Sequence, residues 1–131
     1  MPITLPTTTV DALPFAAACF SILYGLYALF APGTFLRMAK LQPIGERRVG
    51  LSEIRGSLAG LPLGVGLATL FFYDQPFTQM ALGAGWLFVA FGRLVSILSD
   101  DASTFGNWLW LLVNLIVAGA CLAPVFGLVP A

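Results

Sequence analysis

The sequence predicts an all-α integral membrane protein: a four-helix bundle with a short interfacial helix in its first loop. Three observations carry that reading. Hydrophobic residues make up 59% of the 131-residue chain and charged residues only 9%, against roughly 25% charge in a soluble domain. The apolar residues gather into four runs, about residues 13–30, 49–72, 77–98 and 105–129. Each is near the roughly 20 residues that cross a hydrocarbon core about 30 Å thick. Finally, the runs lack the alternation of a barrel strand and are too long for one, which leaves helices as the way to satisfy the backbone in lipid. One transmembrane domain over residues 1–131 is the economical organisation.

Taken in order, the lead "PITLPTTTVDALP" is short and polar, with no positive charge before Asp11. That is not the pattern of a secretory signal. Thr9 or Asp11 is the expected cap of the first span, with Pro14 in its first turn. The first loop, "APGTFLRMAKLQPIGERR", holds Arg37, Lys40, Arg47 and Arg48. Within it, Thr34 to Leu41 sets Arg37 and Lys40 three apart among Phe35, Leu36, Met38 and Leu41, the pattern of a short helix lying in the interface. An irregular connection with two snorkelling cations is the alternative. The second loop is only "YDQP", so the second and third spans are antiparallel neighbours. The third loop, "SDDAST", holds Asp100 and Asp101. The positive-inside rule puts the basic first loop on the cytoplasmic face of an inner membrane and both termini on the periplasmic side. Aromatic residues mark the boundaries: Trp108 and Trp110 at the start of the fourth span, and Phe71, Phe72, Tyr73 and Phe77 at the outer turn.

The composition narrows the chemistry. There is no histidine, which removes the commonest general base and most zinc sites. No metal and no cofactor are expected. The six basic residues form no dense stripe, so nucleic acid is not an expected partner. Cys19 and Cys121 fall at matched depths in the first and fourth spans. They read as small packing residues, and a disulfide would need close Cα approach.

One stretch stands out. "LSEIRGSLAGLPLGVG", from Leu51, carries Glu53 and Arg55 inside an apolar run. Counted from the loop side, Glu53 lies roughly 6 Å into the second span and Arg93 roughly 8 Å into the third, at about 1.5 Å per residue. A lone charge costs about 2.5 to 3.5 kcal/mol at a helix centre and less near an end, and a carboxylate facing a guanidinium reduces that cost. The matched depths predict a Glu53–Arg93 pair inside the bundle, with Arg55 turned about 200° away toward the interface or Asp100. Gly56, Gly60 and Gly64 recur every four residues as a packing ridge, with Glu53 on the same stripe and Pro62 kinking the helix. Gly83, Gly85 and Gly92 offer a partner surface on the third span. Asn114 is the polar residue at depth in the fourth.

The stretches "SEIRG", "AGLPLGVG" and "FGRLVSILSDD" resemble a group of small bacterial four-helix membrane proteins classed as a domain of unknown function. That group has an E-x-R-G start to the second helix and a G-R-x-x-S-x-x-x-D end to the third, which fall here on Glu53, Arg55, Gly56, Gly92, Arg93, Ser96 and Asp100. Its residue after the acid is often glycine, where this chain has Asp101. The resemblance implies a four-helix inner-membrane protein without a settled activity. In layout alone the chain is also similar to DoxX-type bundles, an analogy at the level of fold.

Three kinds of function follow. The first expectation is a packing or accessory protein, joined to a membrane-protein partner or to a second copy of itself. The alternative is a binding protein or carrier for a small lipophilic or amphipathic molecule. Its cytoplasm-facing polar pocket would use Glu53, Arg55, Arg93, Ser96, Asp100 and Asn114. An enzyme ranks last, for want of a nucleophile–base pair or a metal motif. Small four-helix multidrug antiporters rely on a carboxylate deep in the first helix, and this chain has no acid between Asp11 and Glu46.

Overall fold

The computed structural model describes residues 5–42, 44–45 and 49–129. Within them the chain forms five helices and no strand. These are α1 (Thr9–Phe30), α2 (Pro32–Ala39), α3 (Val49–Phe71), α4 (Pro76–Ser99) and α5 (Phe105–Val125). All but α2 are long and apolar enough to cross a membrane. Arg47 and Arg48, half of the cations in the orientation argument, and Glu46 lie outside the described residues.

The four long helices fall on the four apolar runs, with local differences at the ends. Helix α1 starts at Thr9 because Thr8 caps it, its hydroxyl oxygen accepting from the Asp11 amide at 3.3 Å. Pro14 therefore falls in the second turn and is buried. A single residue, Ala31, separates α1 from the short helix α2, which covers Pro32–Ala39 rather than Thr34 to Leu41. It is anchored inward. Phe35 and Leu36 are buried against Ala28, Ile54 and Ala59, and the Phe35 ring meets Tyr24 and Tyr27 edge-on. Helix α5 ends at Val125, short of the predicted Val129. Prolines at the start of α2 and α4 supply the preset φ of a first turn.

Helix α3 is not regular. Residues Ile54–Leu58 form a π turn, with the Ala59 amide donating to the Ile54 carbonyl. Gly56 and Gly60 weaken the helix here, and Pro62 removes the amide that the Leu58 carbonyl would otherwise receive. The wide turn absorbs one extra residue, a phase shift of about 100°. Buried positions in α3 show it: Ile54 and Ala59 stand five apart, whereas Gly66 and Thr69 keep the ordinary spacing of three.

The four long helices form a ring in the order α3, α1, α5, α4. Helices α1 and α3 pack extensively, as do α4 and α5, while α3 and α4 pack least. Close approach depends on glycine at three places. A Cβ at Gly25 would sit 2.7 Å from Leu63 Cβ and 2.8 Å from the Ala59 carbonyl oxygen. One at Gly66 would meet Ile22 and Ser21, and one at Gly83 would meet Leu122 and Cys121. The core around α1, α4 and α5 contains Ala17, Ala18, Leu82, Trp86, Val117, Ala118 and Cys121. Large apolar side chains such as Leu23, Phe77, Phe88, Phe91 and Ile116 point outward, an arrangement suited to lipid rather than water.

Polar groups stitch the bundle together. Buried Ser21 of α1 donates to the Pro62 carbonyl at 2.7 Å and accepts from Trp86 Nε1 at 3.2 Å, so one hydroxyl links α1, α3 and α4. At the α3–α4 turn, Thr69 donates to the Val65 and Thr78 carbonyls. Thr78 donates to the Phe72 and Gln75 carbonyls, and buried Gln79 donates to the Tyr73 carbonyl at 2.6 Å. The "YDQP" turn is thus tight, as the sequence predicts.

Candidate functional site

The α3–α4 seam is closed at that turn and opens away from it. A cavity of about 780 Å³ lies there. Its walls include Ser57, Leu58, Leu61, Pro62 and Val65 from α3, and Ala81, Leu82, Gly85, Trp86 and Val89 from α4. Tyr24 and Phe35 close one side, and Trp110 and Asn114 of α5 another. Met38, Ala39, Lys40 and Leu41 reach it from the end of α2, and Ala102 and Thr104 from the third loop. The volume is within the roughly 300–1,000 Å³ of sites that take drug-sized molecules, and the wall is apolar with a few polar groups, the usual composition of such sites.

Arg93 is the charged residue that α4 contributes to this wall. Its Nε donates to Asn114 Oδ1 at 3.2 Å and its Nη1 to Asn107 Oδ1 at 2.7 Å. The asparagines are themselves fixed. Asn114 is buried, and Asn107 donates through Nδ2 to the Ala102 carbonyl at 2.9 Å, which leaves its oxygen to face the guanidinium. Thr104 caps α5 by accepting from the Asn107 amide at 3.2 Å, so the cap that starts the helix also places the side chain. Both partners of Arg93 are neutral. Among the described residues no carboxylate pairs with it, and its remaining N–H donors have no recorded partner.

The predicted Glu53–Arg93 pair is therefore not formed. Glu53 is exposed on α3. Two causes are visible. The π turn rotates Glu53 out of the phase that a regular helix would give it. The cavity also keeps α3 and α4 apart at this depth, so Arg93 turns to α5, the helix that α4 packs along. Arg55 is exposed as well and has no recorded contact with Asp100. Ser96 donates to Asp100 Oδ2 at 2.9 Å across one turn, a local link outside the cavity. Of the six polar residues singled out by sequence, the structure brings Arg93 and Asn114 together and Ser96 and Asp100 together, and leaves Glu53 and Arg55 apart.

The ridge of Gly56, Gly60 and Gly64 does not serve as the internal seam. A Cβ at any of the three would meet nothing within 4 Å. The close approaches use Gly25, Gly66 and Gly83 instead. Gly83 is on the predicted partner surface, whereas Gly85 lines the cavity and Gly92 is open. Cys19 and Cys121 are free thiols.

Sequence reasoning passed over Asn107, Ser21 and Trp86. Asn107 had a legible signal: it stands seven residues before Asn114, two helical turns, so both share a face. Ser21 and Trp86 carried no such mark.

With this geometry in view, the sequence comparisons are brief. No curated protein and no solved structure matches. Residues 12–124 match the profile of a domain of unknown function, DUF4345, and the chain belongs to that family.

Proposed function

We propose that this chain is a membrane-embedded binding protein for a small amphipathic molecule whose head carries anionic or strongly accepting oxygen. One observation carries the reading: a guanidinium held in the wall of a large apolar cavity by two neutral amides. A cation placed within a membrane costs about 2.5 to 3.5 kcal/mol at the helix centre, and asparagine carbonyls orient it without cancelling its charge. An oxyanion accepting from the free edge of the fork supplies that charge, and bidentate contact adds geometry. The aromatic and aliphatic walls suit the rest of the molecule. By the positive-inside reading, the α2 end of the cavity faces the cytoplasm, where Lys40 adds a second cation near the mouth.

The test compares wild type with Arg93→Gln by native mass spectrometry after gentle detergent extraction. Wild type is expected to carry an anionic amphiphile at near-stoichiometric level, and Arg93→Gln to lose it while remaining folded. Equal retention of the amphiphile by both proteins would overturn the assignment.

A second reading, an accessory protein of a membrane assembly, draws support from the outward ridge of Gly56, Gly60 and Gly64, a face that lets another helix approach closely. Cross-linking from a cysteine at Gly60 tests it, with capture of a second copy or a partner subunit as the expected result.

A further inference from the structure

We infer that the cavity is loaded sideways from the bilayer, through a slot between α3 and α4, and that its ligand is a single-chain lipid with an anionic head. This rests on the binding function proposed above and adds the route and the ligand class. Several residues of α3 and α4 that line the cavity are also exposed, so the wall is open along that seam. On α3 these include Leu58 and Leu61, 39% and 68% exposed, and on α4 Val89, 44% exposed, with exposed Gly85 and Ala81 one and two turns away. Those positions are within the long apolar helices, so the breach opens at the depth of acyl chains rather than onto water. Gly85 has no side chain to narrow the slot, and a Cβ there would touch nothing within 4 Å.

Head and tail positions follow from the same geometry. Arg93 is nearer the loop end of α4 than Gly85 and Val89, by one to two turns. An anionic head at Arg93 therefore places its tail along the Val89–Gly85–Trp86 surface, running toward the middle of the membrane, as a lipid of that leaflet already runs. A volume of about 780 Å³ is drug-sized and suits one chain. A water-soluble anion would leave the apolar walls without a partner.

Quenching of tryptophan fluorescence tests this. The protein carries Trp108→Phe, so the signal comes from Trp86 and Trp110, both in the cavity wall. It is reconstituted in vesicles and titrated with dibrominated stearate, with the dibrominated methyl ester as the uncharged control. Stearate is expected to quench saturably at a low mole fraction, and the ester to need about tenfold more, equivalent to about 1.4 kcal/mol. Arg93→Gln should erase that difference. Gly85→Phe should slow the onset of quenching at least about tenfold by filling the slot. Gly119→Phe, the same change on an open face of α5, should leave it unchanged.

The outcomes separate the two claims. If Arg93→Gln weakens binding and Gly85→Phe alters nothing, the site stands and the lateral route is overturned. If propionate, a soluble carboxylate, displaces stearate at equal activity, the lipid class is overturned. Absence of saturable quenching in the wild-type background overturns the site and the inference together.

Discussion

Two seams of this bundle have the same kinds of residue and opposite characters. Between α1 and α3 the backbones close on Gly25 and Gly66, and the Ser21 hydroxyl bonds across to Pro62. Between α3 and α4, joined by a four-residue turn, glycine is present at Gly85 in the cavity wall, yet a Cβ added there would touch nothing. Sequence adjacency brings two spans side by side, but the face on which the small residues fall decides whether they close. In lipid no hydrophobic force squeezes the helices together, so a seam without matched small faces and hydrogen bonds stays apart and becomes a cavity.

The largest effect expected from this contrast is at glycine. Gly25→Val would drive branched carbons into Leu63 and the Ala59 carbonyl, and backbone cannot yield as a flexible side chain does. A loss of about 3 kcal/mol is expected. Gly85→Val on the open seam, where an added Cβ meets nothing within 4 Å, should stay within about 0.5 kcal/mol of wild type. Thermal unfolding in a single detergent compares the two, and equal losses would erase the distinction between seams.

Next comes the polar group that holds the open side in shape. Asn114→Ala removes the acceptor of Arg93 Nε at a buried position, and hydrogen bonds to charged groups are worth about 1.5 to 3 kcal/mol. A destabilisation of about 2 kcal/mol is expected, together with loss of the preference for carboxylate over ester in the stearate titration. Unchanged stability would mean that water or Asn107 takes over the guanidinium. Ser21→Ala on the closed side should cost less, about 1 kcal/mol, the scale of hydrogen bonds between membrane helices. It leaves Trp86 Nε1 without its acceptor, and the Trp86 emission should shift in parallel with the unfolding midpoint.

The contrast also explains what the sequence made legible. The four long helices, the presence of a short helix in the first loop and the tight turn follow from apolar runs, proline positions and a short polar break, all local signals, whereas the inward anchoring of α2 comes from tertiary packing. Arg93 and Asn114 were legible because polar residues in an apolar run need partners. Their partnership was not, because the regular-helix phase that seemed to aim Glu53 at Arg93 fails at the π turn over Ile54–Leu58. Periodicity arguments assume about 100° per residue, and one widened turn spoils every inference that crosses it. The spacing of Gly56, Gly60 and Gly64 likewise carried no information on which neighbour the small residues face, and Gly56 lies inside the π turn.

The smallest predicted effect concerns the loop that frames the open end. Asp101 has φ +56°, the left-handed region that glycine enters freely and aspartate only at some cost. It directly follows Asp100 in the third loop, at the point where the chain turns toward α5. Asp101→Gly should stabilise the protein by about 0.5 kcal/mol, and Asp101→Ala should destabilise it by a similar amount. The Ala102 carbonyl next in line fixes Asn107, which in turn holds Arg93. If the turn only relieves strain, both variants move the unfolding midpoint and leave stearate binding alone. If binding changes with stability in the glycine variant, then the loop sets the position of the guanidinium, and the open seam is shaped from its end as well as from its faces.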